Sequence, residues 1–163
     1  MKTRTPQLLL RLDAATPATD APWCAGGRIA YLGDTLVLML DTTCRLPEHI
    51  GNALHLPLPP AATARQIRDA AESWLRDEAQ HRFAGIVAKK SALAGCNAPH
   101  GVRHWRIALS FGRRSHWVKS EGDTLRCHWR LIEQAPAVIE QVLGNAMTAQ
   151  TTAPLCDDLF ALV

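Results

Sequence analysis

The residues from Thr124 to Gln150 read TLRCHWRLIEQAPAVIEQVLGNAMTAQ, and they join two different hydrophobic patterns. In the first part, apolar residues alternate with basic ones, which predicts a strand with one apolar and one basic face. The apolar members are Leu125, Cys127, Trp129 and Leu131, and the basic members are Arg126, His128 and Arg130. In the second part, Pro136 suits the first turn of a helix, and apolar residues then recur at three- and four-residue steps. This stripe comprises Val138, Ile139, Val142, Leu143, Ala146 and Met147. We therefore expect a strand followed by an amphipathic helix.

A long helix and several further strands are predicted upstream. The helix should run from about Ala64 to Leu93, capped by Thr63 and ended by Gly95, with Gly85 allowing close packing inside its apolar stripe. A hairpin is predicted from strands near 28–32 and 35–41, with Gly33-Asp34 as the turn. WRIALSF and SHWVKS indicate two more strands, and LHLPLPP indicates a short extended segment. The chain is therefore predicted to have an α+β fold.

The composition is typical of a folded domain that does not cross a membrane. Of 163 residues, 47% are apolar, and the longest apolar run, LVLML, is far shorter than the ~20 residues of a membrane helix. The first 25 residues are rich in Ala, Thr and Pro and are expected to form a flexible arm, followed by a single domain from 26 to 163. No signal peptide is predicted, so a cytoplasmic location is expected. The five cysteines form no CxxC pair, which argues against a disulfide framework.

The order of segments from about residue 26 onward resembles the YgjP-like metallopeptidase family, which consists of zincin-like metal-dependent hydrolases. The segments that carry the resemblance are GGRIAYLGDTLVLML, SWLRDEAQHRF, SHWVKS, EGDT, RCHWRLI, PAVIEQVLGNAMTAQ and PLCDDLFALV. The spacing from WRLI to the following helix is its most specific part. The resemblance implies an N-terminal hairpin and long helix, a small antiparallel or mixed sheet, and a C-terminal helix that holds zinc in the family.

The chain departs from the family at the residues that carry the chemistry. Zinc peptidases of this kind place two histidines at i and i+4 of one helix, with a glutamate beside the first. An alignment on Val138-Ile139 puts Asn145 and Ala149 at the ligand positions, Ala146 at the general base and Leu155 at a third ligand. An amide is a poor zinc ligand, and alkyl side chains can neither bind a metal nor move a proton. No histidine follows His128 and no glutamate follows Glu140, so no change of register restores the site.

These departures imply a catalytically inactive relative, a pseudoenzyme that acts as a binding or regulatory protein and for which no cofactor is expected. The alternative is a metal-dependent hydrolase or peptidase with a site rebuilt from other residues. His100 and His104 run into a predicted strand, where an i, i+4 pair lies about 13 Å apart, too far for one metal. Cys127 and His128 should lie on opposite faces of their strand, as a core thiol and an exposed imidazole. A Cys–His pair from separate elements, such as Cys127 with His81, stays open.

Positive charge is concentrated between His100 and Arg130, where the net charge is +5, against −2 for the rest of the chain. The basic residues of this window are Arg103, Arg106, Arg113, Arg114, Lys119, Arg126 and Arg130. Together with Trp105 and Trp117 they can form a polyanion-binding face, in which aromatic rings stack on bases and cations contact phosphates. The pattern is also typical of a solvated sheet edge that discourages aggregation, with the tryptophans in the core. The expected partner is therefore a nucleic acid or an unknown protein, and no membrane.

Overall fold

The computed structural model describes residues 23–95, 104–112 and 116–149. Four strands precede a long helix, and three further strands, a short 3₁₀ helix and a second α-helix follow it. This arrangement confirms the predicted α+β class. Most of the predicted N-terminal arm and all of the last 14 residues lie outside the described part. Trp23, within the predicted arm, is half-buried and packs against the core.

The first sheet contains four strands: β1 (Arg28–Tyr31), β2 (Asp34–Leu40), β3 (Glu48–Ile50) and β4 (Ala53–Leu56). Their order across the sheet is β1-β2-β4-β3, with β2 and β4 parallel and the two outer pairs antiparallel. Alternate residues such as Leu38 and Leu54 are buried on the inner face. The outer face carries Met39 and Ile50, which are 43% and 52% exposed, and half-buried His55.

The turn between β1 and β2 differs from the prediction by one residue. Tyr31 pairs with Asp34, so the turn residues are Leu32 and Gly33, with φ of 52° and 80°. Positive φ at both central residues matches the twist of a two-residue hairpin. The Leu32 amide donates to the Ile132 carbonyl at 2.8 Å, and the Gly33 amide to the Glu133 carbonyl at 3.0 Å. The hairpin is therefore bound at its tip to a segment about a hundred residues further along the chain.

The long helix α1 (Ala64–Gly95) begins where the sequence predicted. The backbone amide of Gln66 donates to the Thr63 hydroxyl at 3.3 Å, and the backbone amide of Thr63 donates to the Gln66 side-chain oxygen at 2.9 Å. These two hydrogen bonds form a capping box. The buried stripe of α1 comprises Ile67, Ala71, Leu75, Ala79, Phe83 and Val87. The role predicted for Gly85 was wrong, because this residue is exposed and a Cβ there would meet nothing within 4 Å.

The second sheet contains β5 (Arg106–Ser110), β6 (Val118–Glu121) and β7 (Thr124–His128), in the order β5-β7-β6. The strand predicted to continue through Leu131 ends at His128, and Trp129–Glu133 forms a 3₁₀ helix. The His128 side chain caps this helix by accepting from the Arg130 amide at 3.3 Å. Trp129, Leu131 and Ile132 are all buried. The alternation therefore predicted the burial of Trp129 and Leu131 correctly, but not the burial of Ile132 or the 3₁₀ conformation.

The second helix, α2 (Pro136–Ala149), packs against α1 and β6. Ile139, Leu143 and Met147 are buried, as the predicted stripe requires, whereas Val138 is 42% exposed and does not belong to it. The core of the described residues contains no fully buried polar or charged residue. None of their helices has the length and apolar character that crossing a membrane requires.

Candidate functional site

Within the described residues, the face of α2 that would carry zinc in the resembled family offers no good metal ligand. Asn145 is exposed, while Ala146 is half-buried and packs against the core. The Lys90 ammonium lies against the preceding residue, since a Cβ on Gly144 would be 3.4 Å from its nitrogen. A cation beside this part of α2 disfavours a divalent metal ion there. Ala149 ends the helix, and Leu155 lies outside the described residues. The residues present at these positions do not fit zinc.

An open cleft of about 680 Å³ lies between α1 and α2, beside the hairpin turn. Its lining includes Leu32, Glu78, His81, Arg82, Gly85, Ile86, Lys89, Pro136, Ile139 and Glu140. Neither Asn145 nor Ala146 lines it. Its two carboxylates, two cations and one imidazole leave no excess of either charge, so the cleft favours no anion or cation by its overall charge.

Two residues that line this cleft, Glu78 and Arg82, form a cluster of polar contacts with Tyr31. The Tyr31 hydroxyl donates to Glu78 at 2.8 Å, and Arg82 both pairs with Glu78 and lies over the Tyr31 ring. Burial opposes ionisation of Glu78, but hydrogen bonds from Arg82 and Tyr31 outweigh it and lower the pKa of this carboxyl. Burial and the hydrogen bond to Glu78 raise the pKa of Tyr31 to about 12. Glu78 is therefore ionised and already bound within the protein, which leaves it poorly suited to act as a general base.

Four of the seven predicted polyanion-binding residues lie in the described part, and three of them share one surface. Arg106, Lys119 and Arg126 are all exposed on the outer face of the second sheet, opposite buried Leu125 and Cys127. Lys119 and Arg126 are directly paired across β6 and β7. Glu121 lies between them, at 3.1 Å from Lys119 and 3.3 Å from Arg126. Arg103, Arg113 and Arg114 lie outside the described residues.

Arg130 does not belong to this surface, contrary to the prediction. Because the chain turns into the 3₁₀ helix after His128, the Arg130 guanidinium stacks on Trp129 with 4.8 Å to the ring centre and pairs with Glu133 at 3.0 Å. Arg76 lies 5.2 Å from the same ring. Arg130 is thus part of a cation–aromatic cluster that joins α1 to the 3₁₀ helix.

The two tryptophans of the basic window differ in position. Trp105 is half-buried against the core, as the structural interpretation expected. Trp117 is 48% exposed and lies edge-on to His128, with 6.1 Å between the ring centres. Burial lowers the pKa of His128, so its ring is neutral at neutral pH and adds no charge. We call the surface formed by Arg106, Trp117, Lys119, Arg126 and His128 the basic face.

A third group of residues was not predicted from the sequence. Asp41, Cys44 and His55 bring a carboxylate, a thiol and an imidazole together, with their ligand atoms all within 4.8 Å of one another. His55 Nδ1 lies 3.4 Å from Asp41 Oδ2. Hydrogen bonds from Thr43 and Cys44 lower the pKa of Asp41 to about 2. The three residues come from β4 and the loop after β2, which the parallel pairing of these strands brings together. Their sequence spacing alone matches no familiar ligand motif.

Among the described residues, Cys127 takes no part in such a cluster. Its thiol is fully buried, and burial raises its pKa to about 12. His81 is exposed on α1 and lines the cleft. Cys127 is therefore a core residue, and a thiol that stays protonated is a poor nucleophile.

Comparisons of the chain with protein-family models, with curated proteins and with solved structures gave no significant match.

Proposed function

We propose that this chain is a non-catalytic binding protein on a zincin-like scaffold of the YgjP-like type, and that its ligand is a single-stranded nucleic acid. The scaffold proposal is supported by the order of hairpin, long helix, strands and C-terminal helix, which matches the resembled family. The loss of catalysis is supported by α2, whose nominal metal-ligand positions hold Asn145 and Ala149 and whose nominal general-base position holds Ala146. Neither a zinc ion nor a proton transfer can be supported by these side chains.

The observation that carries the nucleic-acid proposal is the basic face. Neighbouring strands lie about 4.8 Å apart and Arg106 is offset from Arg126 by two residues along the strand, so Arg106, Lys119 and Arg126 extend over three strands within roughly 12 Å. A half-exposed tryptophan ring lies at the edge of the same surface. Single-stranded nucleic acids are bound by this combination, in which cations follow the backbone and aromatic rings stack on bases. Glu121 pairs with both Lys119 and Arg126 and orients their side chains. When phosphates of the ligand replace the Glu121 carboxylate as their partner, both side chains stay within reach of the ligand.

The experiment is a titration of a fluorescent single-stranded oligonucleotide with the full chain at several salt concentrations. The logarithm of the binding constant falls linearly with the logarithm of the salt concentration, and removal of one cation that binds a phosphate makes this slope smaller by about 0.7 for a single strand. The triple variant Arg106→Gln, Lys119→Gln, Arg126→Gln should therefore bind more weakly and show a slope smaller by about 2. Trp117→Ala should weaken binding without changing the slope, because stacking releases no counterions.

The matched control is the triple variant Arg28→Gln, Arg65→Gln, Arg68→Gln, which removes the same charge from exposed positions on β1 and α1. It should bind as the unchanged protein does, apart from a small general effect of net charge. Equal losses in the two triple variants would contradict a specific basic face. An affinity that does not depend on salt would contradict nucleic-acid binding altogether.

A second candidate function, a metal-dependent hydrolase with a rebuilt site, is favoured by the cluster of Asp41, Cys44 and His55. Three protein ligands with an open fourth position are what catalytic zinc sites use. Peptidase activity that a chelator abolishes and zinc restores would support this function. Absence of activity in the zinc-loaded protein would leave the non-catalytic proposal in place.

A further inference from the structure

The outer face of the first sheet, on the opposite side from its apolar inner face, carries the three side chains of the Asp41–Cys44–His55 cluster. His55 projects from β4, while Asp41 and Cys44 follow the end of β2. We propose that this cluster is a binding site for one zinc ion, or a divalent transition-metal ion of the same preference, with a fourth coordination position open to solvent. The site is separate from α2 and from the basic face.

The distances between the side chains are close to those of a tetrahedral zinc site. Zinc bonds of about 2.0 Å to nitrogen or oxygen and about 2.3 Å to sulfur place neighbouring ligand atoms roughly 3.5 Å apart. His55 Nδ1 and Asp41 Oδ2 are already at 3.4 Å. The remaining separations are at most 4.8 Å, and Cys44 is half-buried in the loop after β2.

The ligand atoms of Asp41 and His55 are held in place by the surrounding structure. The Thr43 amide and hydroxyl donate to Asp41 Oδ1 at 2.9 and 2.6 Å, which leaves Oδ2 directed at His55. The Asp41 amide donates to the Leu56 carbonyl at 2.8 Å, which fixes this residue beside β4. In metal sites, hydrogen bonds of this kind from neighbouring residues orient the side chains that bind the ion. Thr43 is therefore a positioning residue for the proposed site.

The donor set and the local charge select the kind of ion. A thiolate, an imidazole and a carboxylate together suit zinc, whereas magnesium and calcium require oxygen ligands only. Glu48 pairs with His55 across β3 and β4, so both side chains project from the same face, and the Glu48 charge acts on Cys44. This second carboxylate adds negative potential that favours a cation. The side chains of His55 and Asp41 are 23% and 29% exposed, so an ion can reach them from solvent.

The test is a titration of the full chain, stripped of metal with a chelator, with zinc alone against a chromophoric competitor and with cobalt alone in a spectrophotometer. We expect one equivalent bound at this site and a thiolate-to-cobalt charge-transfer band. Cys44→Ser should abolish the band and weaken zinc binding at least tenfold, and His55→Gln should weaken it to a similar extent. Thr43→Val should reduce affinity by about tenfold while keeping the band, because it removes one orienting hydrogen bond and no ligand.

Two controls separate this site from other thiols and imidazoles. Cys24→Ser removes an exposed thiol and His81→Gln an exposed imidazole, both outside the cluster, and neither should change the affinity or the band. Zinc should also slow alkylation of Cys44 by iodoacetamide, read by peptide mass spectrometry, but not that of Cys24. Circular dichroism of each variant reports whether it is folded.

Failure of zinc to bind the unchanged protein would overturn the proposal. So would an unchanged affinity in both folded Cys44→Ser and His55→Gln, because the ion would then be bound elsewhere. Nucleic-acid binding tests a different surface, so either proposal can fail alone. Zinc binding without peptidase activity would keep the metal site and remove the hydrolase alternative.

Discussion

Gly33 and Gly85 differ in the space around them, because an added Cβ would clash at Gly33 and would meet nothing at Gly85. Gly33, in the hairpin turn, has φ of 80°, and a Cβ there would lie 2.9 Å from the Cα of Ala135. Gly85, in α1, has helical geometry and open space around it. The same substitution should therefore change stability in opposite directions at the two positions.

We expect Gly33→Ala to lower the free energy of unfolding by about 1–3 kcal/mol, because the residue would be strained and in contact with backbone that cannot move away. Gly85→Ala should raise it by roughly 0.5–1 kcal/mol, because alanine reduces the entropy of the unfolded chain and favours the helix. Urea denaturation of both variants measures these differences. A stabilising Gly33→Ala would show that the tip of the hairpin is not held against the start of α2.

At the scale of single elements, α1 depends on its N-terminal cap. Thr63 and Gln66 satisfy each other's backbone amides at the point where the helix begins. We expect Thr63→Ala to cost about 1 kcal/mol of unfolding free energy, and Thr63→Ser to restore most of it, because serine supplies the same oxygen. Thermal and urea denaturation measure both effects. Equal losses for alanine and serine would assign the effect to the Thr63 methyl group and not to the cap.

The same elements show what the sequence could predict. The start of α1 and most of the buried positions of α1 and α2 followed from apolar residues three and four apart, because burial of one stripe is what makes such a helix stable. The hairpin followed from alternation around a glycine. β3 was not predicted, since its residues Glu48, His49 and Ile50 are all exposed and leave no alternating pattern. WRLI was wrongly assigned to a strand because Trp129 and Leu131 continue the alternation of β7, although Ile132 beside Leu131 is buried as well.

The candidate sites were less predictable than the elements. Arg106, Lys119 and Arg126 lie on one sheet face, but alternation in the sequence indicated the face of Arg126 alone, and Arg130 left that face when its strand ended early. The cluster of Asp41, Cys44 and His55 depends on the parallel pairing of β2 with β4, with β3 added at the edge although it lies between them in sequence. Nothing in the local residue pattern specifies a parallel pairing. A site formed across such a pairing can therefore be recognised only from the tertiary structure.

At the scale of the whole molecule, the first sheet is joined to α1 by the hydrogen bond from Tyr31 to Glu78. Tyr31 is the single tyrosine of the chain, so its ionisation can be followed directly by phenolate absorbance. In the folded protein its pKa is raised from 10.0 to about 12, first by burial and then by the bond to Glu78. The folded state therefore holds this proton more tightly than the unfolded state does.

It follows that Tyr31 contributes stability below pH 10 that is lost as the pH rises from 10 to about 12. We expect an absorbance midpoint near pH 12 in the native protein and near 10 in urea. Between pH 8 and 11, the unchanged protein should lose on the order of 1 kcal/mol more unfolding free energy than Tyr31→Phe, after allowance for solvent screening. A native midpoint near pH 10 would contradict the link between the first sheet and α1.

The hydrogen bonds that hold the hairpin tip to the 3₁₀ helix have a consequence for synthesis in the cell. Leu32 and Gly33 leave the ribosome about a hundred residues before their partners Ile132 and Glu133. Until those partners emerge, the first sheet and α1 are translated but lack the 3₁₀ helix and α2 that cover the remainder of the α1 stripe. Contacts between such distant parts of a chain form slowly, and apolar surface left exposed in the meantime promotes aggregation. We therefore expect the nascent chain to need protection by a chaperone from the completion of α1 until α2 has emerged.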